Sequence, residues 1–169
     1  MVKTPNQKLT VLGPAGTGKT WMIIVAASKL YFSLKTMKKS GRILIVTVTC
    51  GIKSYIEDAV HKLISYESGA TEDALGIEVR TLAEAKRKGN SETYCGIFID
   101  ECHNISSVDG EWLQRLWKDE RHHDCSRFWM FGDVDQFMFG FKEGYDKENT
   151  IAAKSYESKE FYHLTQVVR

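Results

Sequence analysis

The segment GPAGTGKT (13–20) has the composition and spacing of a loop that holds phosphate groups. Its glycines let the backbone curl so that successive N–H groups point at an anion, and a following helix adds its partial positive charge. Lys19 would supply a full charge for the β- and γ-phosphates, and the Thr20 hydroxyl would ligate Mg²⁺. The alternative is a glycine-rich strand–helix turn that ends in Lys-Thr by chance. The predicted triphosphate contacts are Gly13, Pro14, Ala15, Gly16, Thr17, Gly18, Lys19 and Thr20.

A pair of acidic residues follows an apolar run in GIFIDECHN (96–104). Ligands of open α/β sheets bind at the carboxyl ends of the strands, so we expect this pair beside the phosphate loop. Asp100 is suited to hold Mg²⁺ through water, and Glu101 to act as the general base toward an attacking water. Without the phosphate loop, two solvated acids at the start of a loop would be an equally good interpretation. His103 either bridges this site to a neighbouring segment or is a loop histidine bonded to backbone.

The acidic pair separates the reaction classes that a phosphate loop permits. A phosphotransferase acting on a small molecule typically needs no carboxylate for water, and a GTPase would need an Asn-Lys-x-Asp motif, which the sequence lacks. ATP hydrolysis coupled to movement is therefore the favoured interpretation. A nucleotide-binding signalling or scaffold module with little turnover stays open, because binding needs only the loop.

Strand-like and helix-like segments alternate along the chain, which predicts an α/β fold of three layers with a mostly parallel sheet between helices. The phosphate loop and the acidic pair each follow a predicted strand. The predicted strands are 8–12, 42–49, 76–81, 94–100 and 127–133, with 161–167 as a candidate sixth, buried strand. The predicted helices are 19 to about 32, 51–67, 82–88 and 109–120.

Composition bounds the setting of the protein. The chain has 169 residues, enough for one domain, and its net charge of +1 gives no whole-molecule field toward nucleic acid or membrane. The four cysteines form no CxxC pair and no secreted-type spacing, which favours reduced thiols and an intracellular protein, cytoplasmic or nuclear. The apolar runs are too short to span a bilayer, so no membrane partner is expected.

The order of four segments, GPAGTGKT, FIDECH, FGDVDQ and HLTQVVR, resembles the first RecA-like motor lobe of superfamily 1 helicases. The resemblance spans roughly residues 8–169, and its details are most similar to the helicase-like domain of the schlafen family. It implies one RecA-like lobe over 1–169, with the second lobe outside this chain. ATP and Mg²⁺ are the implied cofactors, and the second lobe is an implied partner. Hydrolysis by one lobe alone would be weak.

The resemblance also implies roles for individual residues. Gln136 would sense the γ-phosphate, and Arg169 would contact a phosphate group from the end of the last strand. Single-stranded RNA or DNA is the implied polymer, with Thr49 and Thr81 as its candidate contacts. Only seven residues precede the first strand, so Gln7 lies too close to serve as the upstream adenine-reading glutamine, and base selectivity is left open.

Two further features have ordinary alternatives. The basic segments 35–42 and 85–89 would either bind nucleic-acid phosphates or form solvated, charged surfaces. Trp112 and Trp117 are expected to pack in the core rather than to stack on bases.

Overall fold

The computed structural model describes residues 8–68, 76–89, 92–117, 125–133, 150–151 and 162–164. Six strands form one parallel sheet with the order β3-β2-β4-β5-β1-β6. They are β1 (Lys8–Leu12), β2 (Ile43–Thr47), β3 (Ile77–Thr81), β4 (Gly96–Ile99), β5 (Arg127–Gly132) and β6 (Tyr162–His163). The α/β fold class and the mostly parallel sheet are confirmed.

Helices cover both faces of this sheet. The helices are α1 (Lys19–Thr36), α2 (Cys50–Ser68), α3 (Leu82–Lys88) and α4 (Ser107–Leu116), with a 3₁₀ turn at Cys102–Asn104. Apolar side chains of α1 and α2 share one core cluster, and those of α3 and α4 share the other. The three-layer arrangement follows, with the sheet in the middle.

The interior strand β2 shows why the sheet is covered on both sides. All five of its residues are buried, although successive side chains of a strand point to opposite faces. Ile43 and Ile45 lie in the cluster with α1 and α2, whereas Leu44 and Val46 lie in the cluster with α3 and α4. A nearly all-apolar strand is what a two-sided parallel sheet requires.

Several element bounds differ from the sequence predictions for local reasons. α1 continues to Thr36, four residues past the predicted end. β2 ends at Thr47, because Thr49 accepts a hydrogen bond from the Ile52 N–H at 3.4 Å and α2 begins at once. α4 begins earlier than predicted because the Ser106 side chain caps it, accepting from the Asp109 N–H at 3.2 Å.

The predicted sixth strand is present, and its described part is exposed rather than buried. β6 pairs with β1 at the edge of the sheet, and both Tyr162 and His163 are exposed. An edge strand has a neighbour on one side only, which leaves its side chains open to solvent. No helix in the described part of the chain is long and apolar enough to cross a membrane.

Candidate active site

The phosphate loop lies between β1 and α1, at the carboxyl edge of the sheet. Gly16 and Gly18 have φ angles of 77° and 81°, a left-handed conformation that glycine adopts readily. The Thr17 hydroxyl donates to the Pro14 carbonyl at 2.8 Å, which closes the loop on itself. Lys19 is buried, and its Nζ donates to the carbonyls of Gly13 and Pro14 at 2.7 and 2.9 Å. The ammonium group is thus held inside the curl of the loop.

Thr20 joins this loop to the acidic strand end. Its Oγ1 donates to Asp100 Oδ2 at 2.9 Å, across 80 positions of sequence. Asp100 is fully buried, and its backbone N–H bonds to the Val46 carbonyl, which continues the β4–β2 pairing beyond the strand. Burial raises the pKa of the Asp100 carboxyl, while the Thr20 hydroxyl, the Glu101 N–H and the Lys19 charge act in the opposite direction. The sequence prediction that these two motifs meet at one edge is realised in the structure.

Glu101 stands in an unusual backbone conformation next to Asp100. Its φ and ψ angles of 54° and 47° are left-handed, which is uncommon for a residue other than glycine. Burial, followed by the charges of Asp100 and Asp133, raises the pKa of its carboxyl against the lowering effect of Lys19. Its Oε2 atom is buried and has no hydrogen-bond partner among the described residues. Strained backbone and an unsatisfied carboxylate oxygen are features that concentrate at functional sites.

His103 connects the Glu101 turn to the end of β5. It is fully buried, and its Nδ1 accepts a hydrogen bond from the Asp133 backbone N–H at 2.9 Å. Burial lowers the pKa of His103 to about 4, so the ring is neutral near pH 7. Glu101 Oε2 lies 3.4 Å from Nδ1, but Nδ1 carries no hydrogen when it accepts from Asp133, so this contact is not an ion pair.

The same hydrogen bond fixes the tautomer of the ring. A neutral histidine whose Nδ1 accepts must carry its hydrogen on Nε2. The Asn104 amide lies 3.1 Å from Nε2, and its Oδ1 has no other hydrogen-bond partner among the residues that the structure describes. The consistent assignment turns the amide so that Oδ1 accepts from Nε2–H. Both sequence interpretations of His103 therefore hold, because it bonds to backbone and that backbone belongs to a neighbouring strand end.

Close backbone packing ties the ends of β1, β5 and β6 to this edge. The Gly13 N–H donates to the Gly132 carbonyl at 3.0 Å, and the Leu164 N–H donates to the Leu12 carbonyl at 2.8 Å. A side chain at Gly13 would place its Cβ 2.9 Å from both Cβ and the carbonyl oxygen of Leu164. Leu164, the residue directly after β6, therefore lies against the phosphate loop.

Two predicted site residues, Gln136 and Arg169, lie outside the described residues. The other two predicted contacts, Thr49 and Thr81, are at the carboxyl ends of β2 and β3, where each begins a helix. The Thr81 side chain accepts from the Glu84 N–H at 3.2 Å, and Glu84 accepts from the Thr81 N–H at 2.8 Å, which forms a capping box.

Three cations of the basic segments, Arg42, Lys86 and Lys88, are engaged in ion pairs. Arg42 contacts Glu78 and Glu92, and Lys88 contacts the same two carboxylates. Lys86 pairs with an acid of α4. This pairing favours the interpretation of these segments as charged surface rather than as a nucleic-acid contact. Trp112 and Trp117 pack against the α4 core cluster, as expected.

The family model for the AAA domain matches residues 1–142, which is most of the chain and includes the phosphate loop and the acidic pair. The chain belongs to this family. The AAA domain assignment agrees with the parallel sheet and identifies a P-loop NTPase-like domain, which implies nucleotide binding, typically with Mg²⁺. No curated protein sequence matches the chain.

The sequence interpretation missed two contacts of this AAA domain. The first is the hydrogen bond from the Asp133 N–H to His103 Nδ1, which neither residue type predicts because the donor is a backbone group. The second is the approach of Leu164 to Gly13. The glycine itself was a usable signal there, since a residue that must lack a Cβ often has a backbone beside it.

Proposed function

We propose that this AAA domain binds Mg²⁺–ATP and hydrolyses it, as the first motor lobe of a superfamily 1 type helicase or nucleic-acid-dependent ATPase. The observation that carries the proposal is the hydrogen bond from Thr20 Oγ1 to Asp100 Oδ2 at 2.9 Å. It brings together, from two distant motifs, the hydroxyl and the carboxylate that a nucleotide-bound Mg²⁺ requires.

The residues present fit such an ion. Mg²⁺ prefers oxygen ligands and is held in nucleotide sites by one or two protein groups plus phosphates. Asp100 is fully buried, and the groups that stabilise its charge are one hydroxyl, one N–H and the more distant Lys19. A divalent cation at this place would compensate the carboxylate that burial disfavours. Thr20 and Asp100 would hold it, the latter through water.

Lys19 would bind the phosphate groups, and Glu101 would activate the attacking water. Lys19 would exchange its two loop carbonyls for the β- and γ-phosphate oxygens and so neutralise their charge. Glu101 would accept a proton from the attacking water as the water oxygen bonds to the γ-phosphorus and the bond to the β-phosphate oxygen breaks. Its Oε2, which has no hydrogen-bond partner in the described part of the chain, and its raised pKa both favour a proton acceptor at this position.

The helicase-type context rests on the order of motifs and on the path of β6. Leu164 lies against Gly13, and Arg169 is five positions further along the chain. An extended chain of that length reaches about 17 Å, enough to bring an arginine to a γ-phosphate. We include in the proposal Gln136 as γ-phosphate sensor, Thr49 and Thr81 as contacts to single-stranded RNA or DNA, a second RecA-like lobe as partner, and a schlafen-like relationship.

The test compares the same substitution at two threonines of α1. Thr20→Val keeps the shape and removes the proposed ligand, whereas Thr36→Val removes a hydroxyl that bonds to the Phe32 carbonyl at the far end of the helix. ATP affinity is measured by calorimetry with and without Mg²⁺. The parent and Thr36→Val should bind ATP more tightly with Mg²⁺, and Thr20→Val should lose most of that increment. An equal Mg²⁺ increment in Thr20→Val would reject the metal assignment.

A further inference from the structure

α1 carries two apolar stripes, and the core accounts for only one of them. The residues of the first stripe are buried against the sheet and α2; they are Ile23, Ile24, Ala27, Leu30 and Leu34. The apolar side chains of the second stripe repeat at helical spacing along the flank toward β5; they are Trp21, Met22 and Val25, followed by Met37 directly after the helix. Lys29 and Ser33 lie on the same flank, and Ala26 lies between this stripe and the core. A helix that is apolar on two sides normally packs against a neighbour on both.

The second stripe forms one wall of an apolar groove of about 530 Å³. Phe98 and Trp129, which meet edge to face at 5.8 Å, line it from β4 and β5. Trp21 at one end is 52% exposed and Met37 at the other end is 54% exposed. Aromatic and methionine side chains left in solvent along one groove are typical of an interaction surface.

The charges of this groove all have one sign. Its charged lining residues in the described part of the chain are Lys29 and Arg127, and neither has a carboxylate within ion-pair distance there. Arg127 is half-buried, and one guanidinium nitrogen donates to the Ser126 carbonyl at 2.7 Å. Burial lowers the pKa of Arg127, as expected where a cation has lost water without gaining a counter-ion. A partly desolvated cation of this kind is stabilised by an anionic group brought by a ligand.

We propose that this groove binds an amphipathic helix of a partner protein, with its apolar stripe on α1 and carboxylates facing Lys29 and Arg127. From Trp21 to Met37 the groove runs about 24 Å along α1, the length of a helix of about 16 residues. Methionines at both ends adapt to the shape of such a helix. Helix-in-groove binding uses anchors at this spacing.

Two other occupants fit the groove less well. A nucleic-acid strand carries one charge per nucleotide and is tracked by a continuous row of cations, whereas only two cations line this apolar groove among the described residues. A second copy paired through the same face would place Lys29 and Arg127 against a groove whose charged lining residues in the described part of the chain are the same two cations, and like charges across an interface are unfavourable.

The groove can be tested separately from ATP binding. Arg127 opens β5 and Met37 follows the end of α1, so both lie at the amino edge of the sheet, opposite the phosphate loop. Substitutions there should leave the affinity for Mg²⁺–ATP unchanged. A parent protein that does not bind Mg²⁺–ATP would therefore contradict the proposed function and leave the groove proposal intact. A parent protein that binds ATP but no helical peptide would contradict the groove proposal alone.

The experiment uses three fluorescein-labelled 16-residue helical peptides that share one leucine stripe and carry Glu, Gln or Lys at the flanking positions. Fluorescence anisotropy gives the dissociation constants. The Glu peptide should bind at least about tenfold more tightly than the Lys peptide. Arg127→Gln and Lys29→Gln should each weaken the Glu peptide and leave the Gln peptide unchanged. Met37→Asp should weaken all three, whereas Val108→Asp, at an exposed position of α4 on the opposite face, should weaken none.

Several results would overturn the assignment. Equal affinity for the Glu and Lys peptides would show that Lys29 and Arg127 do not select an acidic partner. No measurable binding of any peptide would show that the groove does not bind a helix. Displacement of the Glu peptide by single-stranded oligonucleotide, or a dimer in sedimentation that Met37→Asp dissociates, would assign the groove to a different occupant. Thermal unfolding checks each variant; if Arg127→Gln unfolds, the exposed Lys29→Gln carries the charge test alone.

Discussion

Gly132, at the end of β5, is the position where a single methyl group should disturb the proposed active site most directly. A Cβ there would lie 2.6 Å from Cys102 Sγ, 3.2 Å from the His103 backbone nitrogen and 3.3 Å from the Cys102 backbone nitrogen. Gly132 is not among the residues with positive φ, so alanine meets no backbone obstacle. Any destabilisation by Gly132→Ala must therefore come from these contacts with the turn that follows Glu101.

The expected size follows from two opposing effects. Overpacking of a well-packed interior costs about 1–3 kcal/mol, and alanine in place of glycine recovers about 0.4–1 kcal/mol by restricting the unfolded chain. The Cys102 thiol is fully buried and cannot swing into solvent. We expect a net loss of about 1–2 kcal/mol in the free energy of unfolding, or roughly 2–8 °C in Tm for a chain of this length.

A double-mutant cycle with Cys102→Ala isolates the contact. Removing the thiol alone should cost about 1 kcal/mol, as for other small buried deletions. In the double variant the sulfur that meets the new Cβ is gone, so the two losses should not add, and a coupling of about 1 kcal/mol is expected. Urea unfolding gives all four values, and Gly51→Ala, whose Cβ would meet nothing within 4 Å, is the control.

Losses that add to within about 0.5 kcal/mol would show that Gly132 and Cys102 do not touch. The packing of the β5 end on the Glu101 turn would then be wrong, and with it the placement of His103 between them. A Gly132→Ala protein as stable as Gly51→Ala would lead to the same conclusion.

Two further outcomes test other parts of the fold. The Thr81 N–H, and then Lys53, hold the pKa of Glu84 at about 2, so its stabilising effect is present above pH 4.5 and lost as pH falls from 4.5 toward 2. The fall in Tm between pH 4.5 and 2 should therefore be smaller in Glu84→Gln than in the parent. In the exposed control Glu67→Gln it should be as large as in the parent. Gly110→Ala should lower Tm, although alanine normally stabilises a helix, because the new Cβ would overlap the Ile151 side chain. An unchanged or raised Tm would show that Ile151 does not pack against α4 at Gly110.

Local sequence pattern was sufficient for the sheet and for the meeting of the phosphate loop with Asp100. Apolar runs specify buried strands, and parallel strands bring the residues that follow them to the same edge. The bounds of α1 and α4 were less accurate. The Ser106 cap begins α4 earlier than its apolar stripe does, and the predicted end of α1 at about residue 32 missed its last turn.

Contacts made by backbone groups could not be read from residue types. The Asp133 N–H that orients His103 and the Leu164 backbone against Gly13 each join segments that are far apart in sequence. Their donors and acceptors exist at every residue, so only the packed structure selects which ones meet. The ion pairs of Arg42 and Lys88 could not be predicted either, because their carboxylate partners on Glu78 and Glu92 are brought close only by the fold.

Calorimetric titration of Mg²⁺–ATP into the parent, Lys19→Ala and Lys29→Ala tests the central claim most directly. Lys19 is buried in the phosphate loop, and Lys29 is an exposed lysine of the same helix. A charge-assisted contact contributes about 1.5–3 kcal/mol, so Lys19→Ala should bind at least about tenfold more weakly than the parent. Lys29→Ala should bind like the parent. A parent that does not bind Mg²⁺–ATP, or a Lys19→Ala protein that binds it equally well, would contradict the assignment of this domain as an ATP-binding motor lobe.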